Sequence, residues 1–198
     1  TFDPHPIRLL RPEVAPPLLS TIEDRAGWLE ELGIDVLVAY PTTPELLSLE
    51  AAEFFGQVVV EQLDARGLVE GPSFFFGRDR RGDINVLSDL CLDAGIGLEV
   101  VDPAMSEGEL VSSSRIRTLL AQGDVASAAE LLGRAYPVRG LVIAGAGRGR
   151  DLGVPTANLS KIATLVPGDG VYVGSVELDG RPQPAAVHVG GNPTFGEE

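Results

Sequence analysis

The sequence contains little cysteine, few positive charges and no long apolar run. One cysteine among 198 residues, Cys91, excludes an internal disulfide and a zinc site built from several thiolates. Lys and Arg number 15 against 29 Asp and Glu, and the net charge of −14 disfavours nucleic acid and anionic lipid as partners. No run approaches the ~18 apolar residues of a membrane span, and no basic, apolar and small-residue series at the start resembles a signal peptide. These absences predict a cytoplasmic protein.

The two ends of the sequence suggest that the chain is incomplete. It begins at Thr1 without a methionine, in a segment typical of the end of a strand. It stops at Glu198 without a closing strand or helix. We therefore expect an internal piece of a longer protein.

The first two thirds of the chain alternate predicted helices with predicted strands. Apolar spacings of three and four predict helices over 20–33, from Ser48 to 63, and over 83–94, 114–121 and 124–132. Ser20 with Glu23, Ser48 and Asp124 are the predicted caps. Short apolar runs predict a largely buried strand over 34–40 and further strands over 68–71 and 98–101. This alternation implies a parallel sheet with helical crossovers.

The pattern changes after Gly133, where short β-prone runs separated by glycine and proline replace helical spacing. The Asp179-Gly180 pair lies between two such runs and predicts a hairpin, because both positions tolerate positive φ. We expect a domain boundary near 134–137. The predicted domains are 1–133 and 134–198, the second mostly antiparallel β.

Hydroxyl groups and cations cluster at one predicted strand-to-helix junction. They are Ser112, Ser113, Ser114, Arg115 and Arg117. Free N–H groups at a helix start bind anions, and the hydroxyl and guanidinium groups would extend such a site toward a phosphate. A plain serine cap with solvated arginines explains the same residues.

Two other segments could contact a nucleotide or a flat ring. His5 lies between two prolines, a stiff arrangement that suits a donor to a phosphate or base, although a surface histidine in a turn is commoner. Phe74 and Phe76 belong to an aromatic run bracketed by glycines. Such a run fits a mobile loop over a flat ring, and it fits a buried strand equally well.

A glycine-rich stretch in the second predicted domain could let backbone amides approach a phosphate. Gly147, Gly149 and Arg150 belong to it, and it lacks the Walker spacing. Thr156 and Asn158 follow and offer hard oxygen donors compatible with Mg²⁺. A proline-started turn with an asparagine cap explains the last two residues as well.

We interpret two remaining residues as structural and not as parts of a functional site. Cys91 lies on a predicted helix face and reads as a small core residue. His188 could belong to a flavin or nucleotide wall, but we expect it in a core strand.

Taken in order, these motifs resemble the prokaryotic bifunctional riboflavin kinase/FMN adenylyltransferase family, also called FAD synthetase. Residues 1–6, 71–77 and 112–117 are similar to its segments Thr-Phe-x-Pro-His-Pro, Gly-x-x-Phe-x-Phe-Gly and Ser-Ser-Thr-x-Ile-Arg. Residues 149–158 are similar to the kinase signature Gly-Arg-x-Leu-Gly-x-Pro-Thr-Ala-Asn, the most specific motif. The resemblance covers essentially the whole chain.

The resemblance implies a nucleotidyltransferase-like (Rossmann-like) α/β domain with a parallel sheet, followed by part of an antiparallel β-barrel riboflavin kinase domain. It implies that ATP converts riboflavin to FMN, and FMN to FAD with release of pyrophosphate. In the first module His5, Ser112, Ser113, Arg115 and Arg117 would bind ATP, and Phe74 and Phe76 would lie near the flavin. In the kinase module ATP would be bound by Gly147, Gly149, Arg150, Thr156 and Asn158, the last two with Mg²⁺. The implied partners are these small molecules.

The sequence departs from the family pattern at positions that bear on catalysis and on ligand binding. The family's His-x-Gly-His motif precedes the first segment of this chain, and its catalytic glutamate follows the last one, so we expect impaired catalysis from the sequence as it stands. Ser73 and His188 replace residues that the family uses near flavin or nucleotide, whereas Ser114 keeps a hydroxyl group. A non-catalytic flavin- or nucleotide-binding regulatory protein is the alternative.

Overall fold

The computed structural model describes residues 1–144 and 156–191. Its helices are α1 (Ile7–Leu10), α2 (Ile22–Glu31), α3 (Pro44–Ser48), α4 (Ala51–Phe54), α5 (Ile84–Ala94), α6 (Ser113–Ala121) and α7 (Val125–Leu132). Its strands are β1 (Phe2–Asp3), β2 (Tyr40–Pro41), β3 (Gly67–Glu70), β4 (Gly97–Val100), β5 (Met105–Ser106), β6 (Glu109–Leu110), β7 (Leu141–Ile143), β8 (Asn158–Ser160), β9 (Gly170–Leu178) and β10 (Arg181–Val189). A π-helical segment, Phe55–Gln62, continues α4. Within these ranges no helix is long and apolar enough to cross a bilayer.

The strands pair two by two. β1 pairs with β2 and β3 with β4, both in parallel, as the helix–strand alternation predicts. The pairs β7–β8 and β9–β10 are antiparallel, as predicted for the part after Gly133. The short pair β5–β6 is antiparallel too, although it lies in the part for which a parallel sheet was predicted. None of these small sheets closes into a barrel over the described ranges.

The helices after residue 80 follow local sequence signals closely. Asp83 caps α5 by accepting from the backbone N–H groups of Asn85 and Val86, both at 3.0 Å. Asp124 caps α7 by accepting from Ser127 N–H at 3.0 Å. The predicted hairpin is present too, with Asp179 at φ 50° and Gly180 at φ 73° between β9 and β10.

Two predicted caps are wrong. Thr21 caps α2 in place of Ser20, since its Oγ1 accepts from Asp24 N–H at 3.1 Å and Asp24 Oδ2 accepts from Thr21 N–H at 3.2 Å. Ser48 ends α3, and the next helix is capped by Glu50, whose N–H donates to Glu53 at 2.8 Å. In both places a neighbouring polar side chain makes the reciprocal capping contact.

The predicted strand over 34–40 is also wrong. Only Tyr40 joins a strand, and Ile34, Val36 and Val38 are exposed. The run pairs with β1 only from Tyr40 onward, and strand-like composition alone does not form a ladder.

Among the residues that the structure describes, two hydrophobic clusters form cores. The first consists of Phe54, Phe55, Val58, Val59, Phe76, Leu87 and Cys91. Cys91 is 1% exposed, as expected of a small core residue. The second consists of Ile116, Leu120 and Ala128. His188, by contrast, is exposed on β10, so its expected core position is wrong.

Contacts divide the chain into two compact units. The first consists of Thr1–Pro16 and Ala26–Leu110. The second combines Pro17–Arg25 with the described residues from Val111 onward. The predicted domain boundary near 134 stays a prediction.

Candidate functional site

The start of α6 carries the predicted cluster of hydroxyl groups and cations. Ser112 is the cap, and its Oγ accepts from the Arg115 N–H at 3.2 Å. Ser113 is the first residue of the helix and is exposed. The structure therefore brings Ser112, Ser113 and Arg115 together at a helix N-terminus, where N–H groups and the helix dipole favour an anion.

Arg117 lies one turn further along α6 and is partly buried. Its Nε donates to the carbonyl oxygen of Pro17 at 2.8 Å. Burial lowers the pKa of the guanidinium group, and nearby Tyr136 partly opposes this change. Arg117 is thus held in a fixed direction by a backbone carbonyl, which sequence reasoning could not foresee because Pro17 lies 100 residues away.

The aromatic segment over 71–77 is a loop with a single bridge between Phe76 and Gly82, and not a strand. Phe74 and Phe76 stack, with ring centroids 5.4 Å apart and an interplanar angle of 18°. Phe76 is 6% exposed and belongs to the first core. Both predicted flavin contacts are therefore packed against each other, with Phe74 the more accessible of the two.

The stacked rings line a cavity of about 220 Å³ in the first unit. Its wall is largely apolar and includes Phe2, Tyr40, Leu68, Phe74 and Phe76. Tyr40 holds its hydroxyl toward Gln62, to which it donates at 2.8 Å. The largely apolar, aromatic wall suits an apolar group.

Glu70 is the acidic group of this cavity, and the sequence analysis missed it. Partial burial raises the pKa of its carboxyl group, against the effect of a hydrogen bond from the Gly71 backbone. Alternation within β3 could have indicated it, because Leu68 and Glu70 share one face of the strand. Arg80 was missed as well; its guanidinium lies 4.7 Å from the ring centroid of exposed Phe75.

His5 is exposed in the turn before α1. Its Nδ1 accepts from the Ile7 backbone N–H at 3.2 Å. A neutral His5 in this arrangement carries its proton on Nε2, which is then a donor. His5 belongs to the first unit and α6 to the second, so their grouping around one ATP stays a prediction.

Thr156 and Asn158 border the β7–β8 connection. Asn158 is paired in register with Ile143, which places the start of β8 beside the end of β7. Both residues are exposed. Their hydroxyl and amide oxygen atoms are hard donors of the kind that Mg²⁺ binds, and their role as Mg²⁺ ligands stays a prediction. The three other predicted kinase residues, Gly147, Gly149 and Arg150, lie outside the described residues.

The sequence matches two protein families in succession. Residues 1–115 match the family described as FAD synthetase, and residues 132–198 match the family described as riboflavin kinase. The chain belongs to the FAD synthetase family. The two matches occur in the order in which the motifs resemble the bifunctional proteins.

Similar curated proteins are bifunctional riboflavin kinase/FMN adenylyltransferases. The one from Pseudomonas fluorescens is 36% identical over 193 residues, which is 98% of this chain and 62% of that protein. The one from Bacillus subtilis is 34% identical over 200 residues, which is 100% of this chain and 63% of that protein. The chain of this FAD synthetase family member thus spans less than two thirds of the length of these relatives.

A solved structure has the same fold over nearly the whole chain. It is described as a macrolide-efflux protein from Streptococcus pneumoniae and superposes with a TM-score of 0.84 at 32% identity. The match covers 98% of this FAD synthetase family member and 64% of the other chain. Both family matches therefore lie within the shared fold.

Proposed function

We propose that this protein uses ATP to convert riboflavin into FMN and then FMN into FAD. In the first step, the terminal phosphoryl group of ATP passes to a riboflavin hydroxyl, giving FMN and ADP. In the second, the FMN phosphate attacks the α-phosphorus of ATP and pyrophosphate leaves, giving FAD. The observation that carries the proposal is the presence of an FAD synthetase match and a riboflavin kinase match in one chain.

The start of α6 would bind ATP for the second step. Exposed Ser113 and the capping Ser112 offer N–H and hydroxyl donors to phosphate oxygens, and Arg115 and Arg117 add positive charge. His5 would add a donor through Nε2. In a chain with a net charge of −14, such local cations must capture the nucleotide without help from overall charge.

The aromatic loop would bind the flavin. Phe74 and Phe76 would form part of the wall of the pocket for the flavin ring system. Phe74 is the more exposed of the two side chains. The fixed stacking of the two rings supports a preformed wall, which lowers the entropy cost of binding.

The β7–β8 connection would bind ATP for the first step. Thr156 and Asn158 would hold Mg²⁺ through oxygen atoms, together with Gly147, Gly149 and Arg150 as phosphate contacts. Mg²⁺, when bound, neutralises charge on the phosphates. The chain's own residues would orient the nucleotide and exclude water around it.

The corresponding architecture is part of this proposal. We assign residues 1–133 to a Rossmann-like adenylyltransferase domain with a parallel sheet, and residues 134–198 to a riboflavin kinase domain of antiparallel barrel type. Two parallel strand pairs in the first part and antiparallel pairs in the second support the assignment. We also assign the protein to the cytoplasm, with small molecules and not nucleic acid or membrane as its partners.

A product assay tests the function. The purified full-length gene product is incubated with riboflavin and Mg²⁺-ATP, and the flavins are separated by chromatography over time. The expected result is FMN followed by FAD, with one pyrophosphate released for each FAD and no product without ATP. Binding of flavin or ATP with no conversion of either riboflavin or supplied FMN would favour a non-catalytic binding protein instead.

A further inference from the structure

One segment of the FAD synthetase match is built into the second compact unit. The segment Pro17–Arg25, here called the strap, lies within the matched residues 1–115. It nevertheless clusters with the described residues from Val111 onward, which include those matched to riboflavin kinase. The strap therefore belongs to the first family match by sequence and to the unit that contains the second match by its contacts.

Backbone and apolar contacts hold the first half of the strap. Leu18 accepts at its carbonyl oxygen from the Leu165 N–H at 2.7 Å, and it forms a parallel bridge with Thr164. Leu19 packs on the second core together with Leu165 and Tyr136. Tyr136 also donates from its hydroxyl to the Leu165 carbonyl oxygen at 2.8 Å.

An ion pair holds the second half. Asp24 is 4% exposed, and its Oδ1 accepts from Arg139 Nε at 2.5 Å. Arg139 comes from the kinase portion, 115 residues along the chain. A buried carboxylate depends strongly on such a partner, because few other groups replace its lost hydration.

The strap in turn holds Arg117. The Pro17 carbonyl oxygen at its start accepts from Nε of Arg117 in α6 at 2.8 Å. Arg117 is partly buried beside this carbonyl, so its direction depends on where the strap lies. Arg139, Asp24, the strap backbone and Arg117 thus form one chain of contacts.

We propose that the strap makes adenylyl transfer depend on the kinase portion: Arg139 and Asp24 are positioning residues that keep Arg117 directed toward ATP. The proposal rests on the proposed function of α6 as the ATP site for FAD formation. Arg139 acts through Asp24 and the Pro17 carbonyl group.

The test uses Arg139→Gln, which removes the ion pair from its exposed end and keeps the side chain polar. Arg181→Gln, on exposed β10, is the matched control. Hydrogen exchange is measured by NMR at the Leu165 amide and at Arg117 Nε–H in full-length protein. We expect exchange at both groups to be at least about fivefold faster in Arg139→Gln, and unchanged in the control.

Kinetics give the second readout. With FMN as substrate, Arg139→Gln should raise the KM for ATP about fivefold or more, while kcat and the rate of riboflavin phosphorylation stay within about twofold. Arg139→Lys should restore part of the KM, and Asp24→Asn should reproduce the increase.

Each possible result tests a different part of the proposal. Unchanged exchange at Arg117 Nε–H would overturn the proposal, whatever the kinetics. Faster exchange with an unchanged KM for ATP would overturn the positioning role. If the unaltered protein forms no FAD, the proposed function fails, while the exchange data still decide whether the strap holds Arg117.

Discussion

At the scale of single residues, Glu70 is the most informative side chain of the apolar cavity. Because partial burial raises the pKa of its carboxyl group, the ionised form is less stable in the folded than in the unfolded protein. This cost is present above the unfolded pKa and disappears as the pH falls below it, where the group is protonated in both states.

Glu70→Gln should therefore raise the unfolding midpoint at pH 7, and the gain should vanish near pH 4. The measurement is thermal unfolding of both proteins between pH 4 and pH 7. Glu99→Gln, at an exposed position on the neighbouring β4, is the control and should give no such pH-dependent gain. A gain that persists unchanged at pH 4 would contradict the assignment to carboxylate desolvation.

Gly82 fixes the aromatic loop by leaving no room for a side chain. An added Cβ would lie 2.7 Å from Phe76 Cε1 and 2.9 Å from Ala51 Cβ. Gly82→Ala should thus destabilise the protein by about 1–3 kcal/mol through displacement of a core ring.

Gly27 is the control position for Gly82, since it lies within α2 and an added Cβ would have no atom within 4 Å. Gly27→Ala should stabilise by about 0.5–1 kcal/mol, because alanine favours helix. Urea unfolding of both variants gives the comparison. Equal effects of the two substitutions would argue against a close contact between Gly82 and Phe76.

Residue-scale predictions from sequence were accurate where the cause is local. Asp124 caps α7 as predicted, because a cap needs only a polar side chain and the next few N–H groups. A serine also caps α6, as one interpretation of the segment had it, and the structure shows that this serine is Ser112. Ser20 failed because Thr21, one position on, has the better reciprocal partner in Asp24. The direction of Arg117 could not be predicted, since Pro17 is distant in sequence.

At the scale of elements, α5 depends on the charge of its cap. Hydrogen bonds from the Val86 and Asn85 backbones lower the pKa of Asp83, with the Val86 bond the larger effect. A lowered folded-state pKa contributes stability that is present above the unfolded pKa and is lost as the pH falls through the folded pKa.

Acidification from pH 5 to pH 2.5 should therefore loosen α5 more in the unaltered protein than in Asp83→Asn, which keeps an oxygen acceptor without a titrating charge. Backbone chemical shifts of α5 followed over this range provide the measurement. Asp89→Asn, on the exposed side of the same helix, should retain the full pH response. The same response in Asp83→Asn as in the unaltered protein would contradict the role of the cap.

Elements were predictable when sequence spacing alone determines them. The helical spacing after residue 80 gave the correct helices, and Asp179-Gly180 gave the hairpin. The run over 34–40 has the composition of a strand, but strand formation depends on a partner elsewhere in the chain. The π-helical Phe55–Gln62 was predicted as ordinary helix, because periodicity does not distinguish the two.

At the scale of the whole molecule, the order of motifs carried the prediction of two flavin-related portions. Family matches over 1–115 and 132–198 agree with that order. The strap was not predictable, because Asp24 and Arg139 lie 115 residues apart and neither residue belongs to a motif. Long-range pairs of this kind follow from the folded chain and not from local spacing.

We propose that riboflavin phosphorylation and FMN adenylylation use separate sites, and the variant Asn158→Ala tests this separation. The full-length variant is supplied with Mg²⁺-ATP and either riboflavin or FMN, and the flavin products are quantified. We predict that FMN formation from riboflavin is abolished, because a Mg²⁺ ligand is lost, while FAD formation from supplied FMN persists at the unaltered rate. Loss of both activities together in a folded variant would contradict the two-site account.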